Sequence, residues 1–276
     1  MKNSNVITIK PRNKIFFASL LLELWEFRDL FFILVEKEIR VRYKQTILGV
    51  GWVLFQPLIS TLIFTLLFGR LIKLPSGYLP YPLFSFVGMI YWTYFANSLS
   101  TSSGSVVGNE GIIKKVYFPR IILPISSIVA HAVDFIVSLP ILGIFMIYYK
   151  VLPSLQFLMI FVFGFAVVTV SVAGMGFFLG ALNVKYRDVR FLLPFLIQIL
   201  IFLTPIFYPL SIVSPERRWI LSLNPISTVI ESSRDVLAGG SINYQYWLIS
   251  LLSTLAFLIV GYAYFKKTES HFSDII

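Results

Sequence analysis

The sequence predicts an all-α polytopic membrane protein, and three observations lead to this fold class. Of its 276 residues, 57% are hydrophobic and only 13% are charged, whereas soluble domains carry about 25% charged residues. The mean hydropathy is +0.84. The apolar runs are long enough for helices that cross a bilayer, which takes roughly 20 residues, and they lack the alternating ten-residue pattern of an outer-membrane barrel.

The first element is predicted to be an amphipathic N-terminal helix that lies in the membrane interface. Charged residues crowd the segment 36–44, and apolar Ile33, Leu34 and Val41 recur there at helical spacing. No charged residue then occurs from Ile47 to Phe68. A cationic amphipathic helix directly before a first span is typical of an interfacial segment.

The apolar runs predict six transmembrane helices, near residues 48–70, 83–103, 121–149, 155–182, 191–211 and 244–265. They form one transmembrane domain, 48–265, between an N-terminal segment, 1–47, and a C-terminal tail, 266–276. The stretch 212–243 has apolar turns broken by Pro215 and Pro225 and ends in two glycines. It predicts two short re-entrant outer helices before the last span, and a loop lying on the outer leaflet is the alternative.

The distribution of positive charge predicts the topology. Of the 23 Lys and Arg residues, 17 lie in the segments 1–49, 104–120, 183–190 and 265–276. Because cytoplasmic loops carry such an excess, both termini are expected in the cytoplasm. The net charge of +10 is therefore explained by topology and gives no reason to expect nucleic-acid binding.

The sequence argues against an enzyme. It has no G-x-x-x-x-G-K-[ST] phosphate loop, so the chain is not expected to bind ATP itself. It has no cysteine and only two distant histidines, His131 and His271, so neither a metal site nor another cofactor is expected. Transport or scaffolding is the predicted class of function.

The segment Gly108–Pro119 contains a predicted docking helix after the second span. Its apolar residues and lysines suit insertion into a cytoplasmic partner, and an ordinary positively charged loop is the alternative. The predicted contact residues are Asn109, Glu110, Ile112, Ile113, Lys114 and Lys115.

Five stretches in order resemble the permease subunits of ABC-2-type exporters of lipid-linked polysaccharide. They are RYKQTILGVGWVLFQPL (42–58), GNEGIIKKVYFPRIILP (108–124), LNVKYRDV (182–189), TPIFYP (204–209) with LNP (223–225), and TESHFSDII (268–276). The resemblance implies a homodimer in the bacterial cytoplasmic (inner) membrane. It also implies two separate ATP-binding-cassette subunits, which hold ATP and magnesium, and export of O-antigen, capsule or teichoic-acid-like glycans.

For such an exporter, the end of the N-terminal helix is the predicted head-group site. Arg40, Arg42 and Lys44 suit the diphosphate of a polyprenyl carrier, because arginine presents a planar donor fork to phosphate oxygens. Tyr43 and the turn Leu48–Gly49 would position them. Anchoring to anionic lipid by the same cations is the alternative.

Three further groups of residues are candidates inside or near the spans. His131 and Asp134 lie one helical turn apart in a span and are interpreted as a mutually satisfied pair. Glu231, Arg234 and Asp235 are candidates for an intrahelical network or an outer gate. The candidate channel-lining aromatic residues are Tyr91, Trp92, Tyr94, Phe95, Phe202, Phe207 and Tyr208.

Two rival functions stay open from the sequence. A permease of similar architecture would export a small lipophilic compound or drug, and a narrow apolar cleft would then replace an aromatic-lined channel. A membrane-embedded enzyme acting on lipid-linked sugars would need a cluster of acidic or His residues at one membrane face, and the sequence does not show such a cluster.

Overall fold

A computed structural model of the chain describes residues 22–44, 49 and 51–272, and within these ranges regular structure is helical, with no strand. The all-α prediction is therefore confirmed. Residues 1–21 of the predicted N-terminal segment, Leu48 of the predicted turn and the last four residues of the predicted C-terminal tail lie outside the described residues. The helices are α1 (Arg28–Tyr43), α2 (Gly51–Phe64), α3 (Tyr81–Gly108), α4 (Glu110–Ile113), α5 (Ile122–Tyr148), α6 (Leu155–Lys185), α7 (Val189–Leu203), α8 (Arg218–Ser222), α9 (Pro225–Leu237) and α10 (Tyr244–Glu269).

Four elements are long and apolar enough to cross a membrane: α5, α6, α10 and the run Gly51–Leu71, in which a π-helical segment prolongs α2. The chain is thus a multi-pass membrane protein. At the other two predicted positions lie α3, whose serine-rich second half lowers its hydropathy, and α7, which has only 15 residues. The count of six spans stays a prediction.

The core is built around α3 and α6, which pack against each other and against α5, α9 and α10. The closest approach joins α6 and α10 at two glycines. A Cβ atom at Gly261 would lie 1.9 Å from the carbonyl oxygen of Gly174, so only glycine lets the two backbones meet there. Small residues of this kind set helix crossings in membranes, where lipid provides no hydrophobic force between helices.

Two apolar helices stay largely outside this core. Within α2, only Pro57 and Thr61 are buried, and within α7 only Leu193 is buried. Large side chains such as Phe55 and Phe195 stand exposed on them. These two helices present the apolar surfaces that lipid or another chain has to cover.

The segment after α7 contains the two short helices that the sequence predicts, α8 and α9. Asn224 caps α9 by accepting a hydrogen bond from the Ile226 amide at 3.2 Å, and Pro225 occupies its first turn. Gly239, with φ of 81°, ends it, and the Gly240 amide donates to the Asp235 carbonyl at 2.7 Å. The helix α9 is covered by α3, α6 and α10, and its re-entry into the membrane stays a prediction.

The N-terminal helix α1 lies across the end of this bundle and packs on α5. Leu34 is its buried residue, whereas Ile33 and Val41 are exposed. The side chain of Lys37 donates to the Asn109 side-chain oxygen at 2.6 Å. Because Asn109 directly precedes α4, α1 is joined both to α5 and to the predicted docking segment.

Candidate functional site

An ionic cluster forms where the last turn of α1 meets α5. Arg42 donates from Nη1 to Oδ2 of Asp134 at 2.5 Å, and the Tyr43 hydroxyl donates to the other carboxylate oxygen, Oδ1. Burial, together with the hydrogen bond to Asp134, raises the pKa of Tyr43 well above its usual range. The carboxylate therefore faces a neutral donor and a cation, both delivered by α1.

His131 completes the cluster from the preceding turn of α5. Its Nδ1 lies 2.8 Å from Asp134 Oδ2 and 2.8 Å from Arg42 Nη1. The predicted pairing of His131 with Asp134 is thus present, but the pair is not self-contained. Three side chains converge on one carboxylate, as intramembrane charges require partners.

Two donor or acceptor atoms of this cluster remain unused. Arg42 Nη2 and His131 Nε2 are buried and have no hydrogen-bond partner among the described residues. They lie at a cavity of about 250 Å³, which also receives Gln56 from α2 and Asn97 from α3. Because a buried polar atom without a partner is costly, the cavity is suited to a ligand with oxygen atoms.

The structure brings together only part of the predicted head-group set. Arg42 and Tyr43 belong to the cluster. Arg40 instead pairs with Glu36 of the same helix at 2.5 Å, on the exposed face of α1, and Lys44 is exposed. Alternate residues near the end of a helix point to different sides, which is why Arg42 is half-buried and Arg40 is exposed.

The predicted docking segment also divides into an inner and an outer face. Ile113 is buried in the chain's own core, and Asn109 is held by Lys37. Both side chains pack inward, so they have little surface to offer a partner, and their contact with one stays a prediction. Ile112 is half-buried; Glu110 and Lys114 form an exposed pair at 2.6 Å. The exposed apolar and basic surface consists of Lys114, Lys115, Val116 and Tyr117.

Most of the candidate channel aromatics are core residues instead. Tyr91, Trp92, Tyr94, Phe95 and Phe207 are buried. For example, the Tyr91 hydroxyl donates to the Phe161 carbonyl at 2.9 Å across the α3–α6 contact. Their burial leaves little side-chain surface for a channel. The other two, Phe202 and Tyr208, retain exposed surface.

Arg234 of α9 is fully buried and holds three backbone carbonyls. Its Nε donates to Phe84 at 2.9 Å, Nη1 to Pro205 at 2.6 Å and Nη2 to Ile206 at 2.5 Å. Its carboxylate neighbour Glu231 lies 3.9 Å away and accepts a hydrogen bond from the Leu210 amide at 3.0 Å. The expected pairing within the helix is present, yet the main partners of Arg234 are carbonyls of other segments.

The sequence-based reasoning missed Gln56 and Asn97. Gln56 is an amide side chain within the otherwise apolar helix α2, and that isolated polarity was the available signal. Asn97 precedes the serine-rich half of α3, where a single polar residue gives no such signal. It also missed the link from Lys37 to Asn109. A contact between residues 72 positions apart leaves no local trace in the sequence.

The structure thus shows a helical multi-pass protein with an ionic cluster between its N-terminal helix and a membrane-spanning helix. The chain belongs to the ABC-2 type transporter family, whose sequence profile matches residues 29–238.

Individual relatives are similar over most of their length. An O-antigen export system permease protein, RfbA, from Myxococcus xanthus is 30% identical over 93% of this chain and 99% of its own. A Klebsiella pneumoniae protein of the same name is 28% identical, over 90% and 95%. The polysialic acid transport protein KpsM from Escherichia coli is 26% identical, over 84% and 91%.

Proposed function

We propose that the chain is the membrane-spanning permease subunit of an ATP-driven ABC exporter of polysaccharide. Its substrate is a polyprenyl-diphosphate-linked glycan such as O-antigen, which it moves across the cytoplasmic membrane. The observation that carries the proposal is the similarity to polysaccharide permeases over nearly the whole length of both chains. The missing phosphate loop assigns ATP hydrolysis to a separate subunit.

The cavity beneath α1 is the proposed site for the diphosphate. Arg42 keeps one edge of its guanidinium on Asp134 and offers Nη2 to a phosphate oxygen. Charge-assisted hydrogen bonds of this kind are roughly twice as strong as neutral ones. Asp134 fixes the orientation of the arginine, and Gln56 and Asn97 add amide donors to the same cavity.

The proposed assembly is a homodimer with two nucleotide-binding subunits. In this assembly both termini lie in the cytoplasm, and α3 and α7 complete six spans. The helices α8 and α9 re-enter from the outer side. Glu231, Arg234 and Asp235 of α9 stabilise the outer gate there. The exposed face beside α4 receives the ATPase subunit. The helix α1 contacts both Asn109, beside the docking segment, and Asp134, at the head-group cavity. A shift of the docking segment would therefore move α1 and change the position of Arg42 in the cavity.

Export from cells tests this proposal. Deletion of the gene is expected to abolish the surface polysaccharide and to leave carrier-linked glycan inside, and a plasmid copy should restore it. The variant Arg42→Lys keeps the positive charge beside Asp134 but loses the second donor. It should lower surface glycan per permease molecule about tenfold, as expected for one lost charge-assisted hydrogen bond.

The matched control is Arg40→Lys, which changes an exposed arginine two residues away and should export normally. Normal surface glycan in the deletion strain would exclude the export function. Full export by the Arg42→Lys variant would instead remove only the head-group role and leave the export function standing.

A further inference from the structure

A second cavity, of about 640 Å³, lies between α8, α9 and the start of α10. The head-group site does not use it, because that site lies under α1 near the other end of the bundle. Its volume is within the range of small-molecule sites, about 300–1,000 Å³. In the orientation proposed above, this cavity is on the outer side of the membrane.

One face of α9 provides the polar wall of this cavity. The residues on it recur at helical spacing and carry hydroxyl or carboxylate groups: Ser227, Thr228, Glu231, Ser232 and Asp235. The opposite face, with Ile226, Val229 and Ile230, is buried in the core. The helix is thus amphipathic, with its polar side turned to the cavity rather than to the bundle.

Several polar atoms of this wall have no partner. Ser227 and Thr228 are only 2% and 5% exposed, and neither hydroxyl finds a hydrogen-bond partner in the part of the chain that the structure describes. The same holds for Glu231 Oε2. Buried hydroxyls without partners are unfavourable, and both residues line the cavity, where a bound ligand would supply the missing partners.

The charges around the cavity favour an uncharged ligand. Two carboxylates, Glu231 and Asp235, line the cavity together with the guanidinium of Arg218, which donates to the Val213 carbonyl at 2.9 Å. Arg234 is not part of the lining, but it lies 3.9 Å from Glu231 and offsets part of the negative charge. The carboxylates would repel an anion, whereas hydroxyl donors of an uncharged ligand pair with them. The described residues also contain no group of three or more His, Asp or Glu suited to a metal ion.

The rim of the cavity adds groups of a different kind. The amide of Gln245 supplies both donors and an acceptor, and Tyr244, which is 78% exposed, presents an aromatic face with a hydroxyl. Hydroxyls, carboxylates, amides and one aromatic ring suit a ligand that is rich in hydroxyl groups and has an apolar C–H face.

We infer that this cavity is a binding site for an uncharged saccharide of one or two sugar units. Sugar hydroxyls donate to the carboxylates of Glu231 and Asp235 and pair with the hydroxyls of Ser227 and Thr228, while the ring packs on Tyr244. Identification of this sugar as part of the exported glycan rests on the proposed function, whereas the binding itself does not.

Direct titration tests the site with the full-length permease and its ATPase partner in lipid nanodiscs. The probes are repeat-unit oligosaccharides freed from the source strain's surface polysaccharide by mild acid, with a sialic acid oligomer as the charged comparison. The uncharged fragments should bind and the sialic acid oligomer should not. The double variant Ser227→Ala/Thr228→Val should weaken binding about tenfold or more, with the same melting temperature as wild type or a higher one.

The control is Ser85→Ala, which removes a buried hydroxyl that likewise has no partner among the described residues but lies in α3, away from the cavity. It should leave the titration unchanged. Equal affinity of the double variant and wild type would overturn the saccharide site. The saccharide site would also be overturned if the wild-type complex exports the glycan in cells but does not bind the fragments. The export function would stand in that case. If deletion of the gene leaves the surface glycan intact, the export function fails, and the titration still decides the saccharide site.

Discussion

At the level of single residues, Asp134 is the side chain on which the ionic cluster depends. Its carboxylate accepts hydrogen bonds from Arg42 and Tyr43 and contacts His131, and its side chain is only 13% exposed. Removing one partner of a buried ion pair leaves the other charge without compensation, which is much more damaging than the loss of an exposed pair.

We therefore expect Asp134→Ala to destabilise the permease by about 3–5 kcal/mol. The matched control is Glu36→Gln, which breaks the exposed pair with Arg40 on α1 and should cost below about 1 kcal/mol. The midpoint of denaturation in detergent measures both. Equal midpoints for the two variants would mean that the cluster under α1 does not hold the helix.

Arg234 sets a second prediction at this scale, through Gly88 on α3. A Cβ atom at Gly88 would lie 2.5 Å from Arg234 Nη2 and 3.1 Å from the Ile206 carbonyl oxygen. Gly88→Ala should therefore push the guanidinium off its carbonyl partners and destabilise the chain by about 1–3 kcal/mol.

Gly104→Ala is the control on the same helix, since a Cβ atom there meets no atom within 4 Å. It should be neutral or slightly stabilising, because alanine reduces the entropy of the unfolded chain. Thermal unfolding of both variants decides the point. If Gly104→Ala were as harmful as Gly88→Ala, the loss at Gly88 could not be attributed to a clash with Arg234.

At the level of elements, the segment around α4 has one face for the chain and one for a partner. Ile113 packs inward, with 6% exposure, whereas Val116 is 55% exposed beside Lys115 and Tyr117. The structure thus distinguishes a residue that stabilises the permease, Ile113, from one that is free to contact a partner, Val116, whereas in the sequence both belong to one apolar face.

Val116→Asp should abolish co-purification with the ATPase subunit while the permease keeps its melting temperature, because the charge is unpaired only once the partner covers it. Ile113→Asp should lower the melting temperature of the permease itself. Val41→Asp, on an exposed apolar residue of α1, is the control and should do neither. Undisturbed co-purification of the Val116→Asp variant would exclude this docking face.

At the level of the whole molecule, α2 and α7 are apolar helices that the chain itself leaves largely uncovered. The absence of cysteine makes this surface directly testable, because introduced cysteines are then the only thiols of the chain and pair only where their Cα atoms come close together. In the proposed homodimer, the second copy covers these helices.

A variant carrying Phe55→Cys on α2 and Phe195→Cys on α7 should form a disulfide-linked dimer in membranes upon mild oxidation. Met159→Cys on α6, which is 61% exposed, is the control for random collision and should stay monomeric on a denaturing gel. A dimer band of equal strength in both variants would show that α2 and α7 are merely lipid-facing.

Much of this protein follows from the sequence by itself. The length and polarity of apolar runs are local properties, so the fold class and the positions of most helices could be predicted within a few residues. The exception is α7, which ends at Leu203 and not near residue 211. The same holds for the short helices α8 and α9, where Pro225 and the two glycines mark the ends of α9. The order of five family motifs likewise led to the ABC-2 permease class, which the family match supports.

Only the tertiary structure decided which side chains meet. Arg42 and Asp134 are 92 positions apart, and their contact exists because α1 packs across α5. The sequence suggested Tyr91 as a channel-lining residue and Ile113 as a partner contact, yet helix packing buries both. Hydrophobic periodicity shows which face of a helix is apolar, but an apolar face can be covered either by lipid or by protein. The periodicity therefore does not show which faces form the core. The crossing of α6 and α10 at Gly174 and Gly261 depends on contacts between distant segments, and such contacts determine which apolar faces become core.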